Sequence, residues 1–280
     1  MQVRYHLFPY DLLCDMFRAA CSTAFESWVT LPSIDPSITA SYPTQLALLG
    51  AHQRTNARLA HAVLNAVHTS HPKLFGHLKD AHIKAGFERA RWPGRLSWHK
   101  VSVSSPGMET RTLRLLVDGA HNAASAGALA SYLRTLPDTG SGSSPTAVSP
   151  QQNPAEGRRP YTFILALSHS PPKTPLSVLS PLLRHGDRVA IVKFVEPIEG
   201  MPWVKNVPTE DFFKDARECV GDDGVLYSKP PAPTDNVDRR PGDELREALR
   251  WASEQADVAV LAGSLYLVGD LYRYCNPENE

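Results

Sequence analysis

The sequence predicts an α/β fold, a mostly parallel sheet covered by helices and preceded by a helical segment. Three observations predict it. From residue 95 onward, short apolar runs alternate with helical patterns, an order that places parallel strands side by side under their crossover helices. Before that point lie two helical stretches. Finally, two of the apolar runs, LRLLV and VAVLA, stop abruptly at Gly-containing turns that open straight into helical patterns, as strands of open α/β sheets do.

Taken in order, residues 1–45 carry the pattern of a short helix and then a loop rich in Ser, Thr and Pro (TLPSIDPSITASYPT), and are otherwise unassigned. Residues 46–94 form the helical segment. In LALLGAHQRTNARLAHAVLNAVHTSHP, Leu59, Ala60, Val63, Leu64 and Val67 recur at helical spacing after Gly50. The stretch LFGHLKDAHIKAGFERAR makes a second helix that stops at Pro93, because proline breaks a helix and biases its predecessor to extended geometry.

Residues 95–280 are the α/β domain. Strands are expected at 95–103 and 112–117, joined by the turn SSPGMET, and then at 162–167, 188–194, 225–227 and 258–261. Helices are expected at 123–136, 176–183, near 210–219, at 243–255 and from Leu265. Two segments interrupt the series. Residues 137–160 are polar and rich in Gly, Ser and Pro, the composition of a disordered surface insertion, and 229–243 form a Pro-rich loop.

Composition excludes several classes. The chain of 280 residues is 42% hydrophobic and 21% charged, ordinary for a globular protein with a real core. Lys+Arg and Asp+Glu both number 29, so nothing in the charge balance suggests a nucleic-acid footprint. The four cysteines, Cys14, Cys21, Cys219 and Cys275, form no CxxC pair and read as reduced thiols. No apolar run reaches the roughly 18 residues of a membrane span. Asp11 and Asp15 interrupt the apolar N-terminus and argue against a signal peptide. A cytoplasmic protein is expected, with mitochondrial targeting the alternative.

The strand ends supply the candidate chemistry. Asp118 ends one strand, Gly119 permits a tight turn, and His121 and Asn122 lie at the mouth of the next helix. Helix N-termini carry unpaired N–H groups and a partial positive charge suited to phosphate. An aspartate there can accept from ribose hydroxyls, and an imidazole can donate to a phosphate oxygen. Equally, Asp118 or Asn122 can simply cap the helix. Ser264, after Gly263, can bind a carboxylate or phosphate or cap its own helix. Asn56 shares a helical face with His52, next to Gln53, and its amide pairs a donor with an acceptor, as the edge of adenine requires. The bland alternative is a solvated helix start. Arg95, after Pro93-Gly94, can clamp phosphates bidentately or stand as a surface arginine. The remaining histidines lack metal-ligand spacing.

Together LGAHQRTNARLA, RWPGRL, VDGAHNAASAGALASYL and LAGSLYLVGD resemble, in order, the folylpolyglutamate synthase and dihydrofolate synthase family of ATP-dependent ligases, which is related to the Mur ligases. GMPWV (200–204) resembles the fungal dihydrofolate synthases. The resemblance covers roughly residues 46–280. It implies a Rossmann-like C-terminal domain over 95–280, preceded by a helical remnant of the family's central ATP-binding domain. It also implies ATP and Mg²⁺ as cofactors, dihydropteroate or a folate and L-glutamate as substrates, and no nucleic-acid or membrane partner. In that scheme ATP phosphorylates a carboxylate and the glutamate amine displaces the phosphate. By the resemblance, Asn56 contacts adenine, Arg95 the phosphates and Asp118 the ribose. His121 lies at the phosphate end and Ser264 in the glutamate or acyl-phosphate region.

The chain departs from the family pattern in places. Ser97 stands where the family has Glu after WPGRL, and Ala123 where it has Pro after DGAHN. No Gly-Lys dipeptide occurs, so the phosphate-cradling GTNGKGS-type loop is missing, as are the carboxylate and histidine ligands for Mg²⁺ expected alongside it. Two readings follow: an ATP-dependent glutamate ligase represented by a part lacking the P-loop, or a degenerate, non-catalytic nucleotide-binding or interaction module.

Overall fold

A computed structural model describes residues 27–103, 110–136, 160–228 and 242–275. The expected N-terminal helix, most of the 104–110 turn, most of the 137–160 insertion and most of the Pro-rich loop lie outside these. Contacts divide the chain into two compact units, one ending at Ser97 and the other running on from Trp98.

The first unit corrects one expectation. The Ser, Thr and Pro-rich stretch read as a loop contains two antiparallel strands, β1 (Trp28–Pro32) and β2 (Ser41–Gln45), with Val29 paired to Thr44 and Leu31 to Tyr42. Val29 and Leu31 alternate inward and bury fully, while the prolines sit where a two-stranded ribbon needs no inward donor. Three helices follow: α1 (His52–Ser70), α2 (Pro72–Phe75) and α3 (Asp80–Arg89). Asp80 ties the ribbon to α3, accepting from Ser33 Oγ at 2.7 Å and from the Ile34 amide at 2.8 Å. The core is small: Val29, Leu31, Leu46 and Ala57, with Tyr42 and Phe87 against them.

The face that α1 buries is also not the apolar stripe that marks it as a helix. Gln53, Ala57 and His61 point inward, whereas Leu59 and Val63 are 65% and 54% exposed. Helical period fixes the element, but only the position of β1 and β2 decides which face is covered.

The second unit is the α/β domain. Its strands are β3 (Ser97–Val103), β4 (Arg111–Val117), β5 (Thr162–Leu165), β6 (Arg188–Ile191), β7 (Val225–Tyr227) and β8 (Val258–Ala262), arranged β3-β4-β8-β5-β6-β7. The β4–β8, β8–β5, β5–β6 and β6–β7 pairs are all parallel. Helices α4 (Ala123–Leu133), α5 (Pro175–Leu182), α6 (Thr209–Val220), α7 (Asp243–Gln255) and α8 (Leu265–Cys275) cover the sheet. The central strands bury both faces, which is why β5 and β8 read as unbroken apolar runs. Helix α7 buries Leu245, Ala248, Leu249 and Ala252, the i, i+3, i+4, i+7 stripe of a helix lying on a sheet.

Polar groups tie the connections down. Asp187, 1% exposed, accepts from the Tyr161 amide at 2.8 Å and from the Arg184 amide at 2.9 Å, fastening the entries to β5 and β6 together. Asn206 accepts from the Phe194 amide at 3.0 Å and donates to its carbonyl at 2.9 Å, so the loop after β6 is held to the segment before α6. Asp270 on α8 accepts from the Val195 amide at 2.8 Å and pairs with Arg273. No described helix is long and apolar enough to cross a membrane.

Candidate functional site

The carboxyl end of β4 builds the first part of the site. Asp118 is the next residue, 7% exposed, and its backbone N–H donates to the Leu261 carbonyl at 3.0 Å, so the β4–β8 ladder runs right up to it. The chain then turns through Gly119 into α4. Capping that helix falls to Asn122, whose Oδ1 accepts from the Ser125 amide at 3.0 Å. Ser125 answers by accepting, through Oγ, from the backbone N–H groups of His121 (3.1 Å) and Asn122 (3.2 Å). Ser125 was not singled out from the sequence, although the Asn-x-x-Ser spacing of a reciprocal cap is its signal.

His121 is exposed and held from behind. Its Nδ1 lies 2.9 Å from the Gly119 carbonyl oxygen. A carbonyl can only accept, so Nδ1 carries the proton and Nε2 is turned to outside chemistry, accepting in the neutral ring and donating in the charged one.

The neighbouring strand, β8, ends beside it. Gly263 has φ +101°, and a Cβ there would stand 2.3 Å from the Ala166 carbonyl oxygen, so only glycine fits. Ser264 is 2% exposed, and its Oγ accepts from the Tyr266 amide at 3.0 Å. The hydroxyl therefore serves the start of α8 as a cap. Asp118, His121 and Ser264 thus share one sheet edge, at the carboxyl ends of two paired parallel strands. Close by, a cavity of about 700 Å³ is lined by Leu265, Tyr266, Asp270, Arg273 and Arg246. Burial raises the Asp270 carboxyl above the ordinary range, against the lowering effect of the Val195 amide and Arg273.

Asn56 and Arg95 belong to the unit that ends at Ser97. Asn56 lines an apolar cavity of about 170 Å³ together with Leu46, Leu48, Gln53, Ala57, Ala60, Phe87 and Ala90. Greasy walls with one or two amides are what a flat heteroaromatic base requires: stacking area, and a donor and acceptor for its edge. The Asn56 Nδ2 donates to Gln53 Oε1 at 3.0 Å. Gln53 was named in the sequence only as a neighbour; its burial, at 8% exposure, is invisible without knowing which face of α1 turns inward.

Arg95 sits half-buried in a constrained turn. Gly94 has φ +73° and Leu96, buried, has φ +46°, a left-handed conformation that costs a branched residue on the order of 1–3 kcal/mol. Ser97 Oγ closes the turn by accepting from the Gly94 amide at 3.0 Å. So Ser97 has a structural task of its own. Among the described residues no group of three or more His, Cys, Asp or Glu is placed to hold a metal ion.

Residues 100–274 match the family model described as dihydrofolate synthetase, C-terminal domain. Over 232 residues the chain is 29% identical to the dihydrofolate synthetase of Saccharomyces cerevisiae, covering 83% of this chain and 46% of that one. It is 28% identical to the probable dihydrofolate synthetase of Schizosaccharomyces pombe, covering 81% and 43%. Its fold is similar to that of Mycobacterium tuberculosis folylpolyglutamate synthase, solved with ADP and AMPPCP, with a TM-score of 0.52 at 19% identity over 89% of this chain and 48% of that one. The chain spans less than half the length of these relatives.

Proposed function

The chain belongs to the family of the dihydrofolate synthetase C-terminal domain, and on that premise we propose that it is the ATP- and glutamate-handling part of a ligase that joins L-glutamate to dihydropteroate or a folate. The observation that carries the reading is the β4 terminus: an acidic group and a rear-anchored imidazole at the rim of a parallel sheet, with helix capping delegated to Asn122. In this reading Asp118 accepts from the ribose hydroxyls of ATP, and His121 presents Nε2 to a phosphate oxygen. Arg95 offsets phosphate charge from its turn, and Asn56 meets the adenine edge from its apolar cavity. Ser264 acts by holding the start of α8, next to the cavity where Arg246 and Arg273, already paired with Asp243 and Asp270, meet the glutamate carboxylates. Residues 46–94 are read as the helical part of a central ATP-binding domain and 95–280 as the Rossmann-like C-terminal domain.

ATP supplies the phosphoryl group that turns a carboxylate into an acyl phosphate, and these residues position it and balance its charge. Mg²⁺, which the family chemistry calls for, finds no ligand cluster among the described residues, and no role here is routed through it. GMPWV inclines the reading toward dihydropteroate over a folate.

A chimera tests the proposal. Residues 46–280 replace the matching segment of the Saccharomyces cerevisiae dihydrofolate synthetase, and ADP release is measured with ATP, Mg²⁺, dihydropteroate and L-glutamate. Glutamate-dependent release that Asp118→Ala abolishes supports the ligase. A folded chimera that binds ATP without turnover favours the alternative, a nucleotide-binding module without catalysis.

A further inference from the structure

We infer that Gln53 is a positioning residue which fixes the orientation of the Asn56 amide and thereby makes the α1 cavity select adenine over a 6-oxopurine; this rests on the reading of Asn56 as the adenine contact. The two ends of an asparagine amide are nearly identical in shape and opposite in hydrogen bonding, so a half-turn about the last side-chain bond exchanges donor for acceptor. Something must choose between the two orientations. The Asn56 Nδ2 donates to Gln53 Oε1 at 3.0 Å. In the flipped amide two carbonyl oxygens would face each other there.

Gln53 is itself fixed. It is buried, at 8% exposure, and its Nε2 lies 3.1 Å from His52 Nε2. An amide nitrogen only donates, so His52 accepts at Nε2 and carries its ring proton on Nδ1. Gly50 makes room for that ring: at φ +101°, a Cβ on it would come 2.7 Å from His52 Cε1. A buried glutamine carbonyl deprived of its donor is costly, so Gln53 Oε1 and Asn56 Nδ2 hold each other in this orientation, with His52 Nε2 available to accept from the other end of the glutamine amide.

This polarity has a chemical consequence. Adenine presents an amine donor beside a ring-nitrogen acceptor, whereas hypoxanthine and guanine present a carbonyl where adenine has the amine. A locked Asn56 carbonyl accepts from the adenine amine and opposes the 6-oxo group. An unlocked Asn56 turns over and donates to that oxygen instead. Loss of Gln53 therefore relaxes the choice of base by admitting the wrong one, which is different from weakening the site as a whole.

The test compares ATP with ITP, each displacing fluorescent mant-ADP from the 280-residue chain. Wild type is expected to prefer ATP by roughly tenfold or more. Gln53→Met, which keeps length and helix propensity but cannot accept, is expected to bring the ratio close to one, mainly through tighter ITP binding. Gln53→Glu still accepts from Asn56 and is expected to keep the preference. His52→Ala, at an exposed position, removes the acceptor beside Gln53 Nε2 and gives an intermediate ratio. A ratio unchanged in both Gln53→Met and His52→Ala overturns the inference, as does an equal loss in Gln53→Met and Gln53→Glu, or a wild type that binds ATP and ITP alike. A wild type that binds neither nucleotide overturns the adenine reading of Asn56 and this inference with it.

Discussion

Tyr272 on α8 holds the ring of His99 on β3. Its Oη lies 2.8 Å from His99 Nε2, and the two rings meet edge to face with centroids 5.4 Å apart. His99 is 5% exposed, and burial pushes its imidazole down from 6.5 to about 4. The unfolded chain therefore takes up a proton that the folded chain refuses. Stability from this site is fully present above about pH 6.5 and is lost as pH falls toward 4, amounting to about 3 kcal/mol. Urea unfolding at pH 7 and pH 4.5 measures it. His99→Phe, which has nothing to titrate, is expected to lose less stability over that interval than wild type does. An acid loss equal to that of wild type contradicts the assignment.

Gly263 leaves no room for a side chain at the rim. Gly263→Ala drives a methyl group against the Ala166 carbonyl and requires a conformation that side chains resist. The expected cost is on the order of 3 kcal/mol, read as a fall in melting temperature. An unchanged melting temperature means that β5 and β8 end differently from the arrangement described.

Asn122 and Asp118 separate stability from binding. Asn122→Ala removes the α4 cap and is expected to cost about 1 kcal/mol in urea unfolding. Asp118→Asn keeps the size of the side chain and is expected to weaken ADP binding by roughly tenfold with a smaller change in unfolding, because its proposed task is to accept from ribose hydroxyls. Equal effects of the two substitutions on both measurements dissolve the distinction.

Ser97→Ala leaves the Gly94 amide without the acceptor that closes the Arg95 turn. The expected result is a loss of about 1 kcal/mol and weaker affinity for ADP, while AMP, with fewer phosphates for Arg95 to meet, is affected less. Calorimetric titration with the two nucleotides checks this. A uniform loss for both places Arg95 away from the phosphates.

The α/β unit was largely legible because its signals are local. The continuous apolar runs of β5 and β8 follow from burial on both faces, and the stripe on α7 follows from lying on a sheet. Where ends differ, they differ by a few residues, as at β6, which closes at Ile191 before the chain bends to Phe194. The first unit was less legible because its structure depends on partners distant in sequence. Ser, Thr and Pro hide β1 and β2, whose pairing becomes evident only when Leu31 meets Tyr42 across the ribbon. The apolar marks on α1 lie on the face that the described core leaves exposed. At the site, the alternatives for Ser264 and Asn122 turn on one hydrogen bond each, and both hydroxyl and amide serve as caps. Gln53 was hidden for the opposite reason: an amide in a polar stretch looks solvated until the helix is seen to turn it inward.

The most direct test of the account is calorimetric titration of the 280-residue chain with ADP, beside Asn56→Ala and Asp118→Ala. ADP binding is expected, with affinity reduced by roughly tenfold or more in each variant and folding retained. No ADP binding by the wild type, or binding that neither substitution changes, contradicts it.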